Sequence, residues 1–156
     1  MSLIVQKYGG TSVGSIEKIR GVAERVLEYY HQGNRMVVVL SAMAGQTDSL
    51  IQLAHEVADQ PDSRELDVLV STGEQVSVAL FAMTLRSMGY DARSLLGFQV
   101  GIHTDQLYGK ARIHEIDTNR IMKELEQNRI VAVAGFQGLD DRGNITTLGR
   151  GGSDTT

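Results

Sequence analysis

Lys7 stands just ahead of Gly9-Gly10, and the hydroxyls of Thr11 and Ser12 follow at once. A lysine at the end of a buried strand ordinarily snorkels its ammonium into water. Beside two glycines and two hydroxyls, it is placed instead as a point charge next to bared backbone N–H donors, a setting suited to phosphate. Phosphoryl transfer needs such a charge, because negative charge spreads over the equatorial oxygens in the transition state. A second candidate anion site lies in Gly149-Arg150-Gly151-Gly152-Ser153-Asp154, where glycines leave the backbone around one guanidinium open to a small anion. Glu74, in Ser71-Thr72-Gly73-Glu74, is of a type that commonly begins helices because the helix dipole favours it there. Taken with Arg150 it suits a zwitterion, Arg150 clasping a carboxylate bidentately and Glu74 meeting an ammonium. Asp154 would orient Lys7 or help hold a magnesium ion bound to phosphate. The P-loop pattern GxxxxGK[ST] and the protein-kinase HRD and DFG elements are missing from the sequence.

These residues need elements to position them. Leu3 to Lys7 reads as a short buried strand. Ile16, Ile19, Val22, Val26, Leu27 and Tyr30 share the face of a helix capped by Ser15 and stopped at Gly33-Asn34. Met36 to Leu40 is an uninterrupted apolar run, which predicts a central strand covered on both faces. The loop Ser41 to Asp48 leads into a helix through Leu50, Ile51, Leu53, Ala54 and Val57. Leu66 to Val70 fits strand or helix equally. A long apolar helix follows over 75–88, then strands at 92–96 and 98–102 and near Ile113. Asp117 or Thr118 caps a helix carrying Ile121, Met122 and Leu125. Ile130 to Ala134 is a second buried strand, and 140–144 a hairpin turn. Strands alternating with helices predict an α/β fold with a largely parallel sheet. In such sheets ligands gather at the carboxyl ends of strands. Four segments, 7–12, 41–47, 71–74 and 149–154, are expected there, each after a strand-like run.

At 156 residues, with 42% apolar and 22% charged residues, the chain is expected to be one soluble globular domain. Fifteen Lys plus Arg stand against 19 Asp plus Glu, a formal charge of −4 with no basic patch, which argues against nucleic acid. No apolar run approaches the roughly 20 residues that span a bilayer, so no membrane partner is expected. Cysteine is absent, which excludes disulfides and thiolate metal sites. The four histidines are scattered, so no protein-held metal site is expected. The expected compartment is cytoplasmic.

Five motifs then fall in register along the whole chain: Val5-Gln6-Lys7-Tyr8-Gly9-Gly10-Thr11-Ser12, Ser41-Ala42-Met43, Ser71-Thr72-Gly73-Glu74, Gly135-Phe136-Gln137-Gly138 and Thr147-Leu148-Gly149-Arg150-Gly151-Gly152-Ser153-Asp154-Thr155. Together they resemble the successive motifs of the aspartokinase (aspartate kinase) family, in the amino acid kinase superfamily. The resemblance implies a three-layer α/β/α sandwich of the carbamate kinase-like type. It implies ATP-dependent phosphorylation of the L-aspartate β-carboxylate to 4-phospho-L-aspartate, the entry to lysine, threonine and methionine biosynthesis. By the same resemblance Lys7 stabilises the transferring phosphoryl group and Asp154 organises the catalytic centre. Tyr8, Gly9, Gly10 and Ser12 line the phosphates with Ser41 nearby. Thr47, Glu74, Arg150, Gly151, Gly152 and Ser153 bind aspartate. Mg2+ comes held mainly through the nucleotide phosphates. Tyr8 takes a place often held by Phe.

Aspartokinases of this type continue well beyond residue 156. The resemblance therefore implies that 1–156 is the N-terminal lobe of an amino acid kinase domain, without the nucleotide-binding C-terminal lobe or ACT regulatory domains. Alone it is expected to turn over ATP weakly or not at all, with exposed apolar sheet edges, while the full-length enzyme is expected to be a homo-oligomer. Two alternatives stay open: a kinase for a related small carboxylate such as glutamate, N-acetylglutamate or carbamate, and a non-catalytic binding or assembly module.

Overall fold

The computed structural model describes residues 1–149. The apolar run at 36–40 becomes β2 (Arg35–Leu40), buried from Met36 onward because it has strands on both sides and helices over both faces. β1 (Leu3–Tyr8) pairs with it in parallel on one side and β6 (Ile130–Ala134) on the other, with β3 (Ala92–Leu95) beyond β6. The order β1-β2-β6-β3 makes an all-parallel four-stranded sheet. Alternate residues point to opposite faces, so each strand feeds two cores. Met36, Val38 and Leu40 pack with Ile19, Val22 and Val26 of α1 (Ile16–Tyr30) and Phe81 and Leu85 of α4 (Thr72–Ser87). Val37 and Val39 pack on the other face with Val100 of the single turn α5 (Gly97–Val100) and Leu125 of α6 (Asn119–Glu126). The result is the expected three-layer α/β/α arrangement.

β1 departs from its expected burial. It is the edge strand, and its residues alternate between exposed and half-buried; Val5 is 62% exposed and Leu3 43%. Their side chains line an open apolar cleft with Val37, Val39, Ile121 and Met122.

A second sheet, of order β5-β4-β7-β8, was not legible as a unit. It is built from β4 (Ile102–Thr104), β5 (Ile113–Ile116), β7 (Gln137–Leu139) and β8 (Ile145–Thr147). Only the β4–β7 pairing is parallel. The hairpin between β7 and β8 forms at the predicted turn, where Asp140 Oδ1 accepts from the amides of Arg142 (2.9 Å) and Asn144 (2.8 Å).

Two segments, 98–102 and 71–74, differ from the sequence expectation, and a third, left open between strand and helix, is settled. Residues 98–102 do not form one strand. The turn α5 comes first, because Gln99 Oε1 accepts from the Leu96 amide at 2.9 Å, and Gly101 at φ +79° then ends it. Leu66 to Val70 resolves as helix α3 (Ser63–Val70), capped by Asp62, whose Oδ1 accepts from the Glu65 amide at 3.1 Å. α3 runs into α4 with only Ser71 between them, so Ser71–Glu74 is a helical junction and follows no strand. The joined helix, Ser63–Ser87, has 25 residues and the length and composition of a bilayer span, although no uninterrupted apolar run in it reaches that length. It is half buried here and packs as a core helix of the domain.

Candidate active site

The carboxyl ends of β1 and β2 meet through a few tight contacts. The Ser41 amide donates to the Tyr8 carbonyl at 3.1 Å, and the Gly135 amide to the Leu40 carbonyl at 3.0 Å, extending the sheet ladder past its last paired residues. After Gly9 the chain turns through one 3-10 turn (Gly10–Val13), anchored by buried Val13. The Ala44 amide donates to the Gly10 carbonyl at 3.2 Å. A Cβ on Gly10 would stand 2.7 Å from the Ala42 carbonyl oxygen, so this glycine is required by close backbone approach. Gly73 presses on Ala42 from the other side: a Cβ there would come 2.8 Å from the Ala42 side chain. Three predicted segments, 7–12, 41–47 and 71–74, thus converge on Ala42.

Glu74 closes this junction. Its Oε1 accepts from the Ala42 amide at 3.2 Å, while Oε2 is buried with no hydrogen-bond partner among the described residues. The residue is 2% exposed. Burial pushes its carboxyl up to about 7, against a partial offset from the amides of Glu74 itself and of Ala42. A buried carboxylate with one oxygen unspent can complete itself with a cation, which would also favour its ionised form.

The other predicted site residues divide. Gly9, Gly10, Ser12, Ser41 and Glu74 lie in the segments around Ala42. Lys7 is exposed at the end of β1, on the sheet face of Leu3 and Val5. Tyr8 alternates to the opposite face, where its hydroxyl donates to Gln6 Oε1 at 2.9 Å and its ring packs on the main core. Burial raises the Tyr8 phenol above its usual value. At the loop end Tyr8 offers its backbone, already engaged by Ser41. Thr47 sits in the first turn of α2 (Gln46–Val57), after Gly45 at φ +79°. Arg150, Gly151, Gly152, Ser153 and Asp154 lie outside the described residues.

Sequence reasoning assigned no role to two residues, Asp67 and Gln137, that tie the site's framework together. Asp67, 1% exposed, accepts from the Thr147 amide (2.8 Å), the Thr147 hydroxyl (2.7 Å) and the Gly109 amide (3.0 Å). Gln137, also buried, donates through Nε2 to the Ser71 carbonyl at 3.0 Å and accepts at Oε1 from the Gly97 amide at 3.1 Å. Asp67, Ser71 and Glu74 are spaced four and three apart, so they stack on one face of the joined helix. The available signal was an acid inside the apolar run Leu66-Asp67-Val68-Leu69-Val70, seven residues ahead of Glu74.

Residues 2–156 match the sequence model of the Amino acid kinase family. An aspartokinase of Geobacillus stearothermophilus is 58% identical over 156 residues, covering all of this chain and 38% of the relative. The chain thus spans about two fifths of the length of that curated relative. Among solved structures, aspartate kinase from Synechocystis superposes with a TM-score of 0.83 at 46% identity, covering 98% of this chain and 25% of that one. E. coli aspartokinase III in complex with aspartate and ADP gives 0.86 at 27% identity, covering 97% and 44%.

Proposed function

The chain belongs to the amino acid kinase family, and from that premise we propose that it carries the amino-acid side of an aspartate kinase site. The reaction is attack of a β-carboxylate oxygen of L-aspartate on the γ-phosphorus of ATP. The new P–O bond forms as the bond to ADP breaks, and the products are 4-phospho-L-aspartate and ADP. The observation that carries this reading is Glu74, a buried carboxylate with an unpartnered oxygen where three Gly-bearing segments meet. An α-ammonium on Oε2 supplies both a donor and a compensating charge, whereas an acetylated amine keeps only one neutral N–H, which favours a free amino acid over N-acetylglutamate. The similarity to a protein solved with aspartate and ADP supports the same substrates.

In this reading Lys7 carries the charge that stabilises the transferring phosphoryl group. Gly9, Gly10, Ser12 and Ser41 shape the phosphate end, with the Tyr8 backbone. Thr47 and Glu74 hold aspartate with Arg150, Gly151, Gly152 and Ser153, and Asp154 organises the centre with Lys7. Among the described residues no cluster of three or more carboxylates or imidazoles is placed to hold a metal ion. In this reading Mg2+ enters with the nucleotide and is held mainly through its phosphates. The 156 residues act as the amino-acid-binding lobe, and the longer relatives' remaining length supplies the adenosine pocket and feedback control.

Titration calorimetry with L-aspartate and L-glutamate tests the reading on this chain. Aspartate is expected to bind in preference to glutamate, and Glu74→Gln to weaken it about a hundredfold, the worth of one strong bond to a buried charge. In a protein of the relatives' length bearing this segment, Lys7→Ala should lower kcat by on the order of a hundredfold. Aspartate binding that ignores Glu74→Gln, or turnover that ignores Lys7→Ala, removes the corresponding assignment.

A further inference from the structure

Asp67 plays no part in the reaction above, yet it is among the most deeply buried ionisable groups of the described structure. Burying a carboxylate is costly unless its oxygens are well satisfied. Here the compensation has an address. Oδ1 accepts from the Thr147 hydroxyl, and Oδ2 accepts from the amides of Thr147 and Gly109. All three partners are donors, and an ionised carboxylate is the one small side chain that accepts everywhere and donates nowhere. Asn would lose the charge and one acceptor oxygen, so that its NH2 group faces either the two amides or a hydroxyl that must turn round to accept.

Two of the three bonds converge on one residue. Thr147 ends β8, the edge strand of the second sheet, so its amide faces away from the β7 ladder and would otherwise be unpaired. The Thr147 carbonyl is taken as well, by the Ala111 amide at 3.0 Å, and the Leu148 amide donates to the Phe136 carbonyl at 2.9 Å. Every polar group of Thr147 is thereby fixed, and the residue is 1% exposed. The same carboxylate draws in Gly109, whose loop continues into Ala111, bridged to Leu148. On the other side, α3 carries Asp67 on the helical face that two turns later presents Glu74. One helix face therefore sets both the Glu74 junction and the end of β8, three residues before Arg150 in the chain.

Resting on the aspartate-site reading given above, we propose that Asp67 is the positioning residue of that site: by holding the amides of Thr147 and Gly109 and the Thr147 hydroxyl it locks the helix that carries Glu74 against the second sheet. Asp67 touches no substrate. It fixes the helix face from which Glu74 reaches the Ala42 junction, so its loss acts on affinity for the amino acid.

The test uses this chain and two readouts. Hydrogen exchange at the Thr147 amide reads the clamp without any ligand. Asp67→Asn should speed it by about tenfold or more while β2 and β6 amides stay as protected as in the unaltered chain. Calorimetry should then show L-aspartate bound about tenfold or more weakly by Asp67→Asn, with Glu74 intact. If Asp67→Asn does not fold, Thr147→Val removes the hydroxyl bond alone and Thr147→Ser restores it; aspartate affinity should fall with the first and return with the second. Unchanged exchange at Thr147 overturns the clamp. Faster exchange with unchanged aspartate affinity overturns the positioning role. If the unaltered chain binds no aspartate, the substrate reading itself fails, and this role with it. That result is told apart from the others because the unaltered chain is then the silent one.

Discussion

Asp67 and Glu74 are two acids on one helical face, two turns apart, at 1% and 2% exposure, and they are opposites in how they are satisfied. Asp67 accepts three hydrogen bonds of 2.7 to 3.0 Å across both oxygens. Glu74 accepts one of 3.2 Å on Oε1, and its buried Oε2 has no partner among the described residues. Burial raises both carboxyls, but only Glu74 is carried up to about 7, because the donors around Asp67 stabilise its charge and hold its rise back. A buried polar group that is fully bonded belongs to the framework. One left half-bonded at a junction of glycine segments is an invitation to a ligand. Burial alone would have ranked the two acids as equals; partner counting separates them.

The largest expected effect breaks that symmetry outright. Asp67→Ala leaves three donors without their acceptor and should cost on the order of 4 kcal/mol, a large share of a domain's stability. Glu74→Gln, which removes a poorly compensated charge and keeps an acceptor for the Ala42 amide, should cost less than about 1 kcal/mol or stabilise at pH 7. Denaturant unfolding of the two variants beside the unaltered chain measures both. Equal losses would erase the distinction between framework acid and ligand acid.

A slightly smaller effect follows from Glu74 alone. Below pH about 4.5 the group is protonated whether the chain is folded or not. As pH rises from there, the unfolded chain releases this proton first while the folded one keeps it, so stability falls. The fall is complete once pH passes about 7, where the folded group ionises too. The full drop amounts to about 3 kcal/mol. Asp67, also raised, contributes in the same direction. Unfolding curves across this range should show the decline, and Glu74→Gln should flatten most of it. A slope that survives Glu74→Gln would assign the decline to another group.

How much of this was legible in the sequence follows from which interactions are local. β2 and β6 could be read because an uninterrupted apolar run has few other places to go. Ser15 could be read as a cap because its partner, the Lys18 amide at 3.2 Å, is three residues away. The motif around Glu74 was legible, though its setting was not. Ser71–Glu74 looks like a loop because Ser, Thr and Gly are poor helix formers, yet tertiary contacts with Ala42 and Gln137 carry the helix through it. β1 looks buried from composition, and its edge position depends on which strands pair, a fact of topology. Asp67 was passed over because its partners lie 42 and 80 residues downstream, and nothing in an apolar run announces such a distant bond. Gln137 was noticed as part of a motif, but its two partners, at 71 and 97, come from other elements altogether.

The finest version of the comparison lies within β8, where neighbouring threonines face opposite ways. The Thr147 hydroxyl donates to the Asp67 carboxylate at 2.7 Å, and Thr146 shares a 2.6 Å hydrogen bond with the Thr104 hydroxyl. Both threonines are buried, so exposure cannot distinguish them. The partners do. Bonds to a charged acceptor are worth about 1.5 to 3 kcal/mol and neutral ones about 0.5 to 1.5. Thr104 also has a second outlet, the Asp105 carbonyl at 2.9 Å, which still takes its proton if Thr146 is lost. Thr147→Val should therefore cost about 2 kcal/mol and Thr146→Val about 0.5 kcal/mol, read as a difference in urea midpoint at constant slope. Equal costs would mean that the charge on Asp67 adds nothing to its grip on β8. That result would reduce the acid to one more buried acceptor.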